Sequence, residues 1–373
     1  MPMLARFSSV RPRYEVTQEA SLAWLARAHA AAEAASAGLD DAARQRFEDQ
    51  LNRVLGRCAC PPGKIDRRGL AIGELETARW ADNVIYDLAR EPHGAGTHIR
   101  TRVFGELVDD YFRDAYCDDD EPPDDLIHVT CTGYLSPSGA QQLVAHKRWP
   151  TRVTHAYQMG CYAAIPASRI AAGFIACGAQ RVDLVHTELC TLHLDPTNHA
   201  LDQLVVHSLF ADGLIRYSMV GDETGPGLVV RGLHEVIVPE SGDAMSWTVG
   251  DHGMQMTLAR DVPDRIAGAL RGFVEALYRR GGRDLGALRD SCFAVHPGGP
   301  KIIDRVREML ELDESQLAAS RAVLREHGNM SSATLPHIWE RVLADPSIPP
   351  GTLVPSLAFG PGLSVCGALL EKR

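Results

Sequence analysis

The chain has 373 residues, 45% hydrophobic and 23% charged, the balance of a folded globular protein with a sizeable core rather than a disordered one. Its formal net charge of −10 argues against nucleic acid as the main partner, because phosphate binding wants a basic face. No run approaches the roughly 18 apolar residues of a membrane span, and the first 20 residues lack a signal-peptide core, so a cytoplasmic protein with no membrane partner is expected.

Residues 17–55 carry apolar positions at helical spacing (Leu22, Leu25, Ala26, Ala30) and predict two helices parted near Gly38. Cys60-Pro61-Pro62-Gly63 breaks them and leads into a basic patch, Lys64-Ile65-Asp66-Arg67-Arg68. Further helices are predicted over Glu74–Ala89 and Val103–Tyr116, then a solvated acidic loop over Cys117–Asp125. Leu126–Gly133 reads as a buried strand, with the next helix beginning near Ser138. Val182–Cys190 is another buried strand, and Leu209–Val220 a helix-to-strand corner. Gly221–Gly227 is the clearest linker. Beyond it the order repeats in kind: strands over Leu228–Pro239 and Gln255–Leu258, a helix over Asp264–Arg279, a strand over Ser291–Val295, and helices after Pro300 and from Asn329. Leu353–Leu370 is two strands around Phe359-Gly360-Pro361-Gly362. Two halves, residues 1–225 and 226–373, each alternating strands with helices, predict a layered α/β fold.

The stretch that organises the chain is His155–Phe174: a short strand, a glycine turn, Cys161, and an Ala- and Gly-rich helix. That layout puts the Cys161 sulfur at a helix N-terminus, where the dipole is expected to lower a thiol pKa. A buried structural cysteine is the bland alternative, since free cysteines are commonly buried. Two distant segments weigh against it. Phe293–Lys301 carries His296 beside Pro297-Gly298-Gly299, and Glu326–Ala333 carries Asn329 in Gly328-Asn329-Met330-Ser331-Ser332. They supply the base and the amide that a catalytic thiolate needs. Nine cysteines without framework spacing fit a reducing compartment, as core thiols plus one nucleophile. Cys58-Ala59-Cys60 lacks a second pair for zinc; on a strand, His186 and Cys190 share a face that excludes His193, so no metal is expected.

These segments, with Phe210-Ala211-Asp212-Gly213 and Phe359-Gly360-Pro361-Gly362-Leu363-Ser364, resemble the type III polyketide synthases, the chalcone synthase-like branch of the thiolase-fold superfamily. The resemblance runs from about residue 60 to the C-terminus. It implies a five-layered αβαβα fold with two related halves and a homodimer. It also implies a Cys161, His296, Asn329 triad reached by a pantetheine tunnel, with Phe210 as gatekeeper. Thr132, Ser331, Phe359 and Gly360 would belong to the pocket, and Lys64, Arg67, Arg68 and Lys301 to the coenzyme A phosphates. No permanently bound cofactor is implied; acyl- and malonyl-coenzyme A, or carrier-protein thioesters, would be substrates.

Three positions depart from the plant pattern: Met256 for a second phenylalanine, His193 for a small threonine, and Trp247 for a glycine. Together they predict a reshaped cavity. The activity implied is decarboxylative Claisen condensation of an acyl thioester with malonyl units, giving an alkylpyrone or resorcinol-type product. The alternative is a ketosynthase making one condensation or joining two chains, with an acyl carrier protein docking on Arg67, Arg68, Arg100 and Arg102. A papain-type cysteine hydrolase shares the residue order but not the sequence around the cysteine. A non-catalytic scaffold of the same fold would not need all three polar residues.

Overall fold

In a computed structural model, residues 1–221, 224–259 and 261–373 are described. Asp222 and Glu223 of the expected linker lie outside them. The strands of the first half are β1 (Met3–Val10), β2 (Tyr14–Thr17), β3 (Arg67–Leu70), β4 (Asp125–Thr130), β5 (Arg152–Tyr157), β6 (Arg181–Leu189) and β7 (Asp212–Val220). The second half adds β8 (Leu228–Ile237), β9 (Met245–Gly250), β10 (Gly253–Leu258), β11 (Ala294–Val295), β12 (Leu353–Gly360) and β13 (Ser364–Lys372).

Nine of these form one sheet in the order β11-β12-β13-β8-β1-β7-β6-β4-β5. From the middle outward, β1-β7-β6-β4 and β8-β13-β12-β11 repeat one pattern: antiparallel, antiparallel, then parallel. The two halves are therefore related, joined where β1 meets β8. Between them lie the helices Ala164–Ala176 and Thr334–Ala344, whose apolar faces share one core with strands of both halves. The small residues Ala163, Ala164, Ala167 and Ala171, all buried, let the first of these helices approach the sheet closely. A second core lies under the N-terminal helices Gln18–Ala37, Thr97–Ala115 and Gly139–Lys147, and a third under Val262–Arg280 and Pro300–Leu310. The result is a large mixed sheet packed with helices.

Several elements differ from the sequence reading. Glu74–Ala89 is not an α-helix but two short 3-10 turns. The Glu74 carboxylate accepts the backbone N–H groups of Val84, Ile85 and Tyr86, so side chain replaces helix bonding there. The N-terminal strand β1 was not predicted, although it lies at the sheet's middle. Gln255–Leu258 has a partner, β9, and forms a separate hairpin. Asn329 does not open a helix; it pairs with Phe210 in a bridge, and the helix starts at Thr334.

Candidate active site

The site forms where β5, β6, β11 and β12 end. After Tyr157 the chain turns through Gln158 and Gly160, at φ 60° and 81°. A Cβ on Gly160 would lie 2.9 Å from Pro361 Cδ, and one on Gly360 would lie 2.3 Å from the Tyr162 ring. The Cys161 turn and the loop after β12 thus interlock so closely that both contact points need glycine. Cys161 follows this turn, ahead of the helix that starts at Ala164.

Cys161 is buried, with Sγ 3.8 Å from Ser331 Oγ. Ser331 Oγ is also 3.1 Å from the sulfur of Cys131. Burial pushes the Cys161 thiol up to about 12, outweighing the hydrogen bonds of Ser331 and Asn329 that oppose it. This reverses the expected lowering, because a terminus dipole is weak beside full desolvation.

His296 is buried at the end of β11, its backbone N–H donating to Leu357 O at 2.8 Å. Both its ring nitrogens lack a hydrogen-bond partner, and burial pushes its pKa down to about 3. It is a neutral imidazole with a free donor and a free acceptor. Asn329 is held at both backbone groups, donating to Leu209 O at 2.9 Å and accepting from Ala211 N at 2.8 Å. Its Oδ1 accepts the Ser331 N–H at 2.9 Å, so its amide nitrogen is the end left to donate.

A narrow chamber borders Cys131, Cys161, Cys190, Phe210, Ser331 and Pro361, with Trp247 and Met256 completing its wall. Trp247 and Met256 face each other across the β9–β10 hairpin. Trp247 stacks on Phe210 at 6.3 Å between centroids, and its indole N–H donates to Cys131 O at 2.6 Å. His193 stands edge-on to Trp247. Of the three positions that depart from the plant pattern, Trp247 and Met256 line the chamber, and His193 stands against Trp247 outside its lining.

Other expected residues fall elsewhere. The Thr132 hydroxyl is consumed inside the protein, donating to Glu188 and accepting from Leu189 N–H; its neighbour Cys131 borders the chamber instead. Phe359 packs in the C-terminal core, and Pro361 rather than Gly360 reaches the wall. Arg68 is buried, donating to His207 O at 2.8 Å, Phe210 O at 2.7 Å and the Ser21 hydroxyl, so it cannot meet a phosphate at the surface. Arg67 pairs with Glu15 at 2.9 Å, beside a groove that Glu15, Glu19 and Asp66 make acidic. Lys64 and Lys301 are exposed. Of the expected carrier-docking patch, Arg100 is also buried, spent on the carbonyls of Ala95, Leu192 and His93, while Arg102 lies 3.9 Å from Glu106.

Sequence reasoning missed Cys131, Cys190 and Glu188. The Glu188 carboxylate is fully buried, accepting from Cys131 N–H at 3.1 Å, Thr132 and Ser332, and burial raises its pKa. Its signal was a carboxylate, as at Asp183, inside a largely apolar strand. Among the described residues no three His, Cys, Asp or Glu side chains group as a metal site. His186 is instead bonded to Ser332 and Tyr217. No helix among them is long and apolar enough to cross a membrane.

The family model "Chalcone and stilbene synthases, C-terminal domain" matches residues 230–372. Type III polyketide synthase C of Arabidopsis thaliana is 29% identical over 258 residues, 66% of this chain and 67% of that protein. The 1,3,6,8-tetrahydroxynaphthalene synthase of Streptomyces coelicolor is 30% identical over 244 residues, 65% and 64% of the two chains. Probable polyketide synthase 1 of Dictyostelium discoideum is 31% identical over 260 residues, but the match spans only 8% of that protein. Among solved structures, PKS-I of the brown alga Ectocarpus siliculosus superposes with a TM-score of 0.83 at 22% identity, covering 100% of this chain and 98% of the other. The S. coelicolor synthase gives 0.77 at 23%, covering 100% and 99%. Over about two thirds of its length the chain is thus similar to type III polyketide synthases, and it shares the thiolase-like fold of their solved structures.

Proposed function

We propose that this protein is a type III polyketide synthase that condenses malonyl units onto an acyl group carried by Cys161. The observation that carries the reading is a buried thiol at the wall of a small chamber, with an amide hydrogen-bonding toward that thiol and a buried imidazole whose two nitrogens have no partner, both contributed by the second half. A buried polar group without a partner is costly, so a ligand that supplies one is favoured.

In the loading step the Cys161 sulfur attacks the carbonyl of an acyl thioester. Its proton passes to His296 and then to the departing thiol, so the transfer buries no net charge. A malonyl thioester then loses carbon dioxide, leaving an enolate whose charge rests on the thioester oxygen. His296 and Asn329, as donors, would hold that oxygen, each contributing roughly 3 kcal/mol in a site closed to water. Phe210, at the chamber wall, withholds water from a carboxylate that must lose its charge. The enolate carbon attacks the Cys161 thioester, and the cysteine sulfur leaves with the electron pair, ready for the next acyl group.

Coenzyme A thioesters are the expected donors, without a resident cofactor, and the product is expected to be an alkylpyrone or resorcinol-type polyketide made by a homodimer. Carrier-protein docking loses its basis with Arg68 and Arg100 buried. Intact-protein mass spectrometry after incubation with acyl- and malonyl-coenzyme A is the test. Wild type should gain the acyl mass and release a polyketide; Cys161→Ala should do neither while folding normally. An acyl adduct that persists in Cys161→Ala would refute the reading.

A further inference from the structure

An open groove of about 460 Å³ lies on the first half, between the helices Gln18–Ala37 and Asp41–Cys58 and the segment that runs past Trp80 to Ala89. It shares no lining residue with the chamber. Arg27, Ala31 and Ala35, spaced four apart, present one face of the first helix to it. Arg44 enters from the second helix, Trp80 and Leu88 from the segment, and the remaining lining side chains are alanines. Trp80 is fixed in place. It packs edge-on to Trp24 at 5.8 Å between centroids, and the Trp24 indole N–H in turn donates to the carbonyls of Glu74 and Thr77 at 3.2 and 2.9 Å.

Every polar side chain in the lining is a donor, and none is an acceptor. Arg27 makes no hydrogen bond or ion pair with any described residue; its Nε is enclosed, but its two terminal nitrogens are not. Arg44 lies 3.8 Å from both Asp41 and Glu48, beyond hydrogen-bond length. The Trp80 indole N–H is likewise unenclosed and without a partner among the described residues.

Two guanidiniums above an apolar floor, in a chain of net charge −10, complement an anion carried on an apolar body. An ammonium would be repelled by both cations, and a neutral alcohol offers them lone pairs without charge. A carboxylate matches the planar fork of a guanidinium. As a monoanion it is also opposed less by the acidic body of the protein than a phosphate dianion would be.

We propose that this groove binds a small amphiphilic carboxylate, its head taken by Arg27 and Arg44 and its apolar chain lying on Trp80, Leu88 and the alanines. The site is separate from the chamber, so the proposal stands or falls independently of the polyketide synthase reading. Octanoate, octyl phosphate, octylammonium and octanol would be titrated calorimetrically into the wild-type protein near neutral pH. Octanoate should bind with a dissociation constant below about 1 mM, and about tenfold tighter than each of the other three. Replacing both arginines, Arg27→Gln with Arg44→Gln, should weaken octanoate by about tenfold or more. Ala35→Trp, which keeps both charges but fills the groove, should weaken it as much. Octanoate binding that survives the paired arginine substitution lies elsewhere and overturns the proposal. So do the absence of saturable octanoate binding, equal or tighter binding of octanol, and tighter binding of octyl phosphate.

Discussion

Arg68 shows how a residue's burial settles its role. The sequence placed it in a basic surface patch; folding puts its guanidinium against the carbonyls of His207 and Phe210. There it caps the helix Leu201–Leu209 and fixes the peptide that carries Phe210 and, through the bridge, Asn329. Arg68→Met should therefore cost roughly 3 kcal/mol or more, read as a lower urea midpoint, because it strands two carbonyls in the core. Arg68→Lys should recover part of that loss, since one ammonium cannot reproduce a fork of donors. A change below about 0.5 kcal/mol for Arg68→Met would mean that the clamp does nothing for the fold. Trp247 makes the complementary case at the chamber wall. Trp247→Gly removes the ring stacked on Phe210 and the indole bond to Cys131 O, widening the chamber. Longer products should then appear by mass spectrometry; an unchanged product profile would mean that the wall does not set chain length.

Among the elements, β1 was the largest omission and the hairpin β9–β10 the most consequential one. Met3–Val10 offers only a short apolar start followed by Arg6 and serines, too weak a period to announce a strand. Its stability comes from β7 and β8 on either side, contacts made across more than 200 residues of chain. Deleting residues 1–10 removes the strand that joins the two halves, so the truncated protein should lose its single cooperative unfolding transition in calorimetry. Retention of that transition at a similar temperature would show that the halves hold together without it. The strands and helices that did show in the sequence, such as the helix Gly139–Lys147 with its Ser138 capping box, are those whose signals are local. Glu74–Ala89 failed for the opposite reason: a helical period there was overruled by one carboxylate collecting three backbone N–H groups.

Across the whole molecule, buried histidines dominate the response to acid. Burial lowers His128, His186, His193 and His296 to about 3 and His207 to about 4. Unfolded, each would bind a proton near pH 6.5, so the stability they contribute is present above that pH and is lost as it falls toward 3. Asp212, raised by burial to about 6, acts in the opposite sense between pH 3.8 and 6, as does the raised Glu188, but the lowered histidines outnumber these carboxylates. The melting temperature should fall by roughly 10 °C or more between pH 7 and pH 5. A flat profile over that range would mean that these rings are protonated in the native state.

The sequence alone determined the layered α/β class, the related halves and the segments that bear the thiol, the imidazole and the amide, because periodicity, glycine turns and short polar motifs are local properties of the chain. Tertiary structure decided which arginines are surface charges, that Cys131 rather than Thr132 meets the chamber, and that Trp247 stacks on Phe210 at its wall. Those depend on which side chains distant strands bring together and on how much water they exclude, and neither is written in any single stretch of residues.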